Sequence, residues 1–124
     1  MQIIYINKKV EKQCTDQKTA NILFGGNKQL VNSLFARINA LNAAETIKDI
    51  IVQPQFRFHN LLNFGKGKDL EGYFAIDVKT KFEKWRIILQ PLDENKKPFY
   101  PCRIDEIASI VKIVEIREVS NHYE

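Results

Sequence analysis

"YFAIDVKTKFEKWRIILQP", residues 73–91, is the stretch on which the fold turns. Phe74, Ile76 and Val78 alternate with Ala75 and Asp77. After "TKFEK", Trp85, Ile87 and Leu89 alternate with Arg86, Ile88 and Gln90. A period of two sends successive side chains to opposite faces of a strand. Two such runs joined by a short polar segment predict an antiparallel hairpin with one wholly apolar face. The second face carries Arg86, whose planar, permanently charged guanidinium suits a phosphate. It could equally form a structural bridge with Asp77 or Glu71.

Toward the C-terminus, "DENKKPFYPCR" is a polar connection and "DEIASI" reads as a helical turn. "VKIVEIREV" (111–119) is strand-like without clean alternation: Val111 and Ile113 share one face, Val114 and Ile116 the other. A bulge, or a central strand buried on both faces, explains that pattern. "EVSNHYE" (118–124) follows, so His122 and Tyr123 start from an ordered element rather than from a frayed tail.

Toward the N-terminus, "FRFHNL" (56–61) alternates, with Arg57, His59 and Leu61 on one face and Phe56 and Phe58 on the other. "NFGKGKDLEG" (63–72) is a glycine- and lysine-rich loop that lacks the spacing and Ser/Thr of a phosphate-binding P-loop. Further back, "IIYI" (3–6) predicts a first strand. A helical segment follows, with Asn7 as cap, Gly25–Gly26 as stop, and Thr15–Asp16 as a point where it could divide in two. The clearest helix starts from Asn27, with Leu30, Val31, Leu34, Phe35, Ile38 and Leu41 recurring at three- and four-residue steps. "AAETIKDIIVQP" reads as a short helical turn and a loop. One strand, then helices, then four strands with hairpin-like connections predicts an α+β domain, single across residues 1–124.

Composition narrows the function classes without choosing one. The net charge is +4, and residues 1–62 hold eight Lys+Arg against four Asp+Glu, while the remainder holds eleven of each. A polyanion partner is compatible with this. Cys14 and Cys102 have no metal-ligand spacing with His59 and His122, so two free thiols and no metal site are expected. No run approaches bilayer length, and "MQIIYINKKV" lacks the order of a signal peptide. A cytoplasmic protein with no membrane contact is the default.

No strong catalytic motif is present, but Lys66, Lys68, Arg86, His122 and Tyr123 fall in the loops or on the faces of the second-half strands. A curved sheet could gather them around one phosphate. Such a set suits RNA cleavage without a metal or cofactor. A base takes the 2′-OH proton, cations stabilise the pentacoordinate phosphate, and an acid protonates the leaving 5′-oxygen. His59 taken singly reads as a surface or satisfied core histidine.

"FRFHNL", the lysine-glycine loop, "EGYFAIDV", "WRIIL" and "VEIREVSNHYE" together resemble the RelE/ParE superfamily of toxin–antitoxin toxins, nearest to its HigB-like, plasmid-maintenance-killer branch. The likeness covers roughly residues 56–124. It implies a small, mainly antiparallel sheet with N-terminal helices packed on one side. The implied activity is a ribosome-dependent endoribonuclease (an mRNA interferase) that inhibits translation. A cognate antitoxin, of which a helix-turn-helix HigA-like protein is one form, would silence it. On that resemblance Arg86 matches the strand arginine that stabilises the scissile phosphate, and His122 the terminal histidine of proton transfer, accompanied by Tyr123. Lys66 or Lys68 matches the loop lysine, and Arg57 and His59 match an R-x-H element that would contact RNA. Three departures stand out. The loop is longer, an arginine common just before the strand arginine is replaced by Lys81 or Lys84 as the nearest cations, and the last residues run in inverted order. The rival readings are a ParE-like toxin acting on DNA gyrase and an inactive binding domain on the same fold.

Overall fold

The computed structural model describes residues 1–61 and 70–122. The chain runs β1 (Gln2–Tyr5), α1 (Lys8–Thr15), α2 (Gln17–Leu23), α3 (Lys28–Ala43) and α4 (Lys48–Ile51). A 3-10 turn (Pro54–Phe56) leads to β2 (His59–Asn60), β3 (Phe74–Asp77), β4 (Arg86–Leu92), α5 (Ile104–Ile107) and β5 (Ile113–Ser120). The fold is α+β, as expected, and the helices pack on one side of a mainly antiparallel sheet.

Local chemistry sets the helix ends. The Asn7 side chain accepts from the Val10 N–H at 2.9 Å and starts α1. Asp16 ends that helix and caps the next, accepting from Thr19 N–H at 2.9 Å and its hydroxyl at 2.6 Å. The predicted division at Thr15–Asp16 is therefore real, and the Thr19 bonds hold the Asp16 carboxyl below its ordinary range. Gly25 and Gly26 adopt φ of +62° and +85°, where a β-carbon is strained, and so end α2. Asn27 caps α3 through Leu30 N–H at 3.2 Å.

The sheet order is β1-β5-β4-β3-β2. Among the described strand pairs only β1–β5 is parallel, with Ile3 opposite Val114 and Tyr5 opposite Ile116. β5 is thus central, and it is also bulged: Ile88 pairs with Glu118 but Leu89 pairs with Ile116, skipping Arg117. The bulge explains the broken alternation; the strand is interior but not buried on both faces, since Glu115, Arg117 and Glu118 are only half-buried. The extra residue shifts the phase, so Val114, Ile116 and Val119 all join the helix-side core.

That core takes Leu30, Val31, Leu34, Ile38 and Leu41 from α3 and Phe74, Ile76, Val78, Ile87 and Leu89 from the sheet. Each such side chain contributes about 1.5–3 kcal/mol when fully buried. Cys14 lies within it, and burial pushes its thiol up to about 12. Both cysteines are free thiols. The opposite face bears a smaller cluster of Leu61, Leu70, Ala75 and Ile88. Among the described residues no helix is long and apolar enough to cross a membrane.

The "FRFHNL" reading needs one correction. Phe56 and Phe58 do face the helices, and Leu61 the other side, but only His59 and Asn60 pair as strand. Pro54 starts a 3-10 turn and Arg57 closes it in the left-handed region (φ 45°, ψ 52°). The gain that holds Arg57 there is ionic.

Candidate functional site

Asp77 is the hub of the sheet face turned away from the helices. It ends β3 directly opposite Arg86, which in turn lies opposite Ser120. Its side chain is 2% exposed, and an isolated carboxylate so buried would cost several kcal/mol. Two guanidinium groups offset that cost. Arg57 Nε lies 3.1 and 3.0 Å from the two carboxylate oxygens and Nη2 lies 3.0 Å from Oδ1. Arg86 Nε lies 3.1 Å from Oδ1.

Arg86 also donates to the turn that precedes it. Its Nη1 reaches the carbonyls of Thr80 (3.4 Å), Trp85 (2.9 Å) and Glu83, and its Nη2 that of Lys81 (3.1 Å). Arg37 on α3 supports the same turn from its other side, donating to Asp77 O (2.9 Å) and Lys79 O (3.2 Å). Its guanidinium stacks over the Phe56 ring at 4.6 Å, and burial lowers its pKa. A phosphate could reach Arg86 only by displacing these partners.

His59 sits one row further in, opposite Ala75, and is half-buried. Its Nδ1 lies 2.7 Å from the Arg57 carbonyl, which only accepts, so Nδ1 carries the proton in the neutral ring. Burial is the main cause that pushes its pKa down, with the Arg57 charge acting the same way against the Arg57 carbonyl and Asp77.

His122 lies just beyond β5, exposed, its N–H donating to Ser120 Oγ at 3.1 Å. It lines a pocket of about 340 Å³ with Asn7, the cap of α1, Lys9, Val10 and Gln13 of that helix, Leu23, Trp85 and residues 117–121. Trp85 is fixed edge-on against Phe24, centroids 4.9 Å apart. Arg86 does not line that pocket, although it lies at the same end of the sheet, opposite Ser120. Lys81 and Lys84 are exposed in the turn at the same end. Lys66, Lys68 and Tyr123 lie outside the described residues.

The structure thus brings Arg57, Arg86 and His59 together around Asp77, and sets His122, Lys81 and Lys84 at the rim. It selects Asp77 over Glu71 as the bridge to Arg86. Reading the sequence as a site missed Asp77 as the centre and missed Arg37. The signal for Asp77 was available: one acid in an apolar strand, on the face and in the row of Arg86. Among the described residues no group of acids, cysteines and histidines could hold a metal.

The fold and rim define an α+β protein with a buried ionic row beneath a cationic sheet end. No protein-family model matches the chain, and no curated protein matches it.

Proposed function

We propose that this chain is the toxin of a toxin–antitoxin pair, of RelE/HigB type, which cleaves mRNA on the ribosome and is held in check by a cognate antitoxin. The observation that carries the reading is the rim: β5 delivers an exposed imidazole, His122, to the sheet end where the β3–β4 turn presents Lys81 and Lys84. An imidazole can move a proton near neutral pH, and ammonium groups can take the charge that builds on a phosphate. In this scheme His122 exchanges a proton with the 2′-OH or the leaving 5′-oxygen, while Lys81 and Lys84 hold the phosphate. Lys66, Lys68 and Tyr123 are further candidates for these roles. Arg86 acts as a positioning residue that shapes the turn, and Arg57 and His59 flank the path of the RNA. Such a protein works in the cytoplasm, on translating ribosomes.

Induced expression of the wild type should arrest growth and leave cleaved mRNA, and His122→Ala should relieve both, with cleavage down about 10²–10⁴-fold. Equal cleavage by both proteins removes the nuclease reading. Arg86→Ala is a poor probe, because losing Arg86 undoes the turn whatever the chemistry.

One observation favours the second reading, a non-nuclease toxin or binding domain: Arg86 is fully engaged by Asp77 and backbone carbonyls. A gyrase supercoiling assay with purified protein separates the gyrase-directed form. Inhibition there, with mRNA intact, would decide for it.

A further inference from the structure

We propose that the β3–β4 turn is a preformed docking site for single-stranded RNA, with Phe82 as the stacking platform for one unpaired base and Lys81 and Lys84 as its phosphate contacts. The inference deepens the proposed function by naming how the substrate is held, and it rests on that reading for the identity of the polyanion.

Phe82 is 84% exposed. A single exposed apolar residue needs no explanation by itself. Its setting does. The turn beneath it is fixed from within by Arg86, which donates to the carbonyls of Thr80, Lys81 and Trp85, and from the side by Arg37 through Lys79 O. Thr80 Oγ1 accepts from Phe82 N–H at 3.3 Å, and Thr80 O from Glu83 N–H at 3.2 Å. Lys79 Nζ is tied to Gln29 at 2.6 Å. A tip ordered this thoroughly loses little further entropy on binding.

The tip is also one-sided in charge. Lys81 and Lys84 point into solvent, whereas the single acid, Glu83, turns a carboxylate oxygen inward to accept Trp85 N–H at 2.8 Å. The Lys81 ammonium sits 5.0 Å from the Phe82 ring centroid and leaves most of the ring open. An exposed aromatic ring with one cation beside it and a second two residues on, over a rigid support, suits unpaired bases with little sequence preference. A protein partner would want more apolar surface than one ring, and duplex RNA would offer that ring no free base face.

The test uses the full chain and a short fluorescent RNA with every ribose 2′-O-methylated, so that no 2′-OH can act as nucleophile. Its affinity is read by anisotropy over a salt series, alongside the same backbone made abasic. Phe82→Ala should weaken binding to the base-bearing strand about tenfold and leave the abasic strand unchanged. Phe82→Tyr should bind as the wild type. Lys81→Ala with Lys84→Ala should weaken both strands and lower the slope of log K against log salt by about 1.4, or about 0.7 for each lost contact. No binding by the wild type, no change in Phe82→Ala, or an equal loss on the abasic strand overturns the proposal. Because this strand cannot be cleaved, the outcome is separate from the nuclease reading. Phe82-dependent binding without mRNA cleavage keeps the docking site and removes the nuclease. Cleavage with Phe82→Ala binding normally does the reverse.

Discussion

The β3–β4 turn and the end of β5 lie at the same end of the sheet, yet they are held in opposite ways. The turn is pinned from beneath by Arg86 and Arg37, through Asp77 and backbone carbonyls. The His122 backbone is tied by one N–H to one serine hydroxyl. The difference separates two uses of positive charge. Arginine, whose fork can satisfy several acceptors at once, is buried as framework, whereas Lys81 and Lys84 of the same turn stay exposed to solvent. It follows that changes beneath the turn should register as stability, and changes at the β5 end as function.

The largest effect is expected at Asp77. Asp77→Ala leaves the Arg86 charge buried without its counter-ion and should cost about 3–5 kcal/mol, read as a lowered urea midpoint with an unchanged slope. A loss of under about 1 kcal/mol would mean that the carbonyls alone hold Arg86, and the contrast between the two regions would collapse. Glu83→Ala removes the acceptor for Trp85 N–H and should cost about 1 kcal/mol. Hydrogen exchange should quicken at Trp85 and within the turn, but not along β5.

His59 reports on the same ionic row through pH. Its folded pKa lies below the ordinary 6.5, chiefly because of burial. As pH falls, the unfolded chain therefore takes the proton first. The stability linked to His59 is complete above about 6.5 and is lost as pH falls through the depressed folded value. His59→Gln, which keeps a donor near the Arg57 carbonyl, should shed that part of the acid loss. Parallel urea midpoints of wild type and variant on both sides of 6.5 check it, and identical pH dependence would show that His59 is not held neutral.

Much of this was legible because it is local. The alternation of 73–78 and 85–91, the α3 stripe, the caps at Asn7 and Asn27 and the break at Asp16 all follow from neighbours in sequence. The irregular β5 pattern announced its bulge. What was hidden is non-local. Nothing near Gln2–Tyr5 tells that it pairs parallel with a strand more than a hundred residues on. The left-handed Arg57 is fixed by Asp77 across the sheet, which overrides the alternation of "FRFHNL". Of the candidate site, the residue types could be read but not their burial. Arg86 looks identical in sequence whether its guanidinium meets solvent or Asp77.

The smallest effect on stability, and the sharpest on the comparison, belongs to His122. The side chain is exposed and beyond the last strand pair, so His122→Ala should change the unfolding free energy by no more than about 0.5 kcal/mol. Ser120→Ala should untie the backbone N–H of His122, which water can then satisfy because His122 is exposed, and so should also cost little. Under the proposed nuclease reading both variants lower mRNA cleavage while folding as the wild type, and Ser120→Ala lowers it less, since it only loosens what His122→Ala removes. Denaturation and cleavage measured on the same preparations check this. If His122→Ala destabilises the chain as Asp77→Ala does, the end of β5 is framework too, and loss of toxicity in that variant would no longer speak for proton transfer.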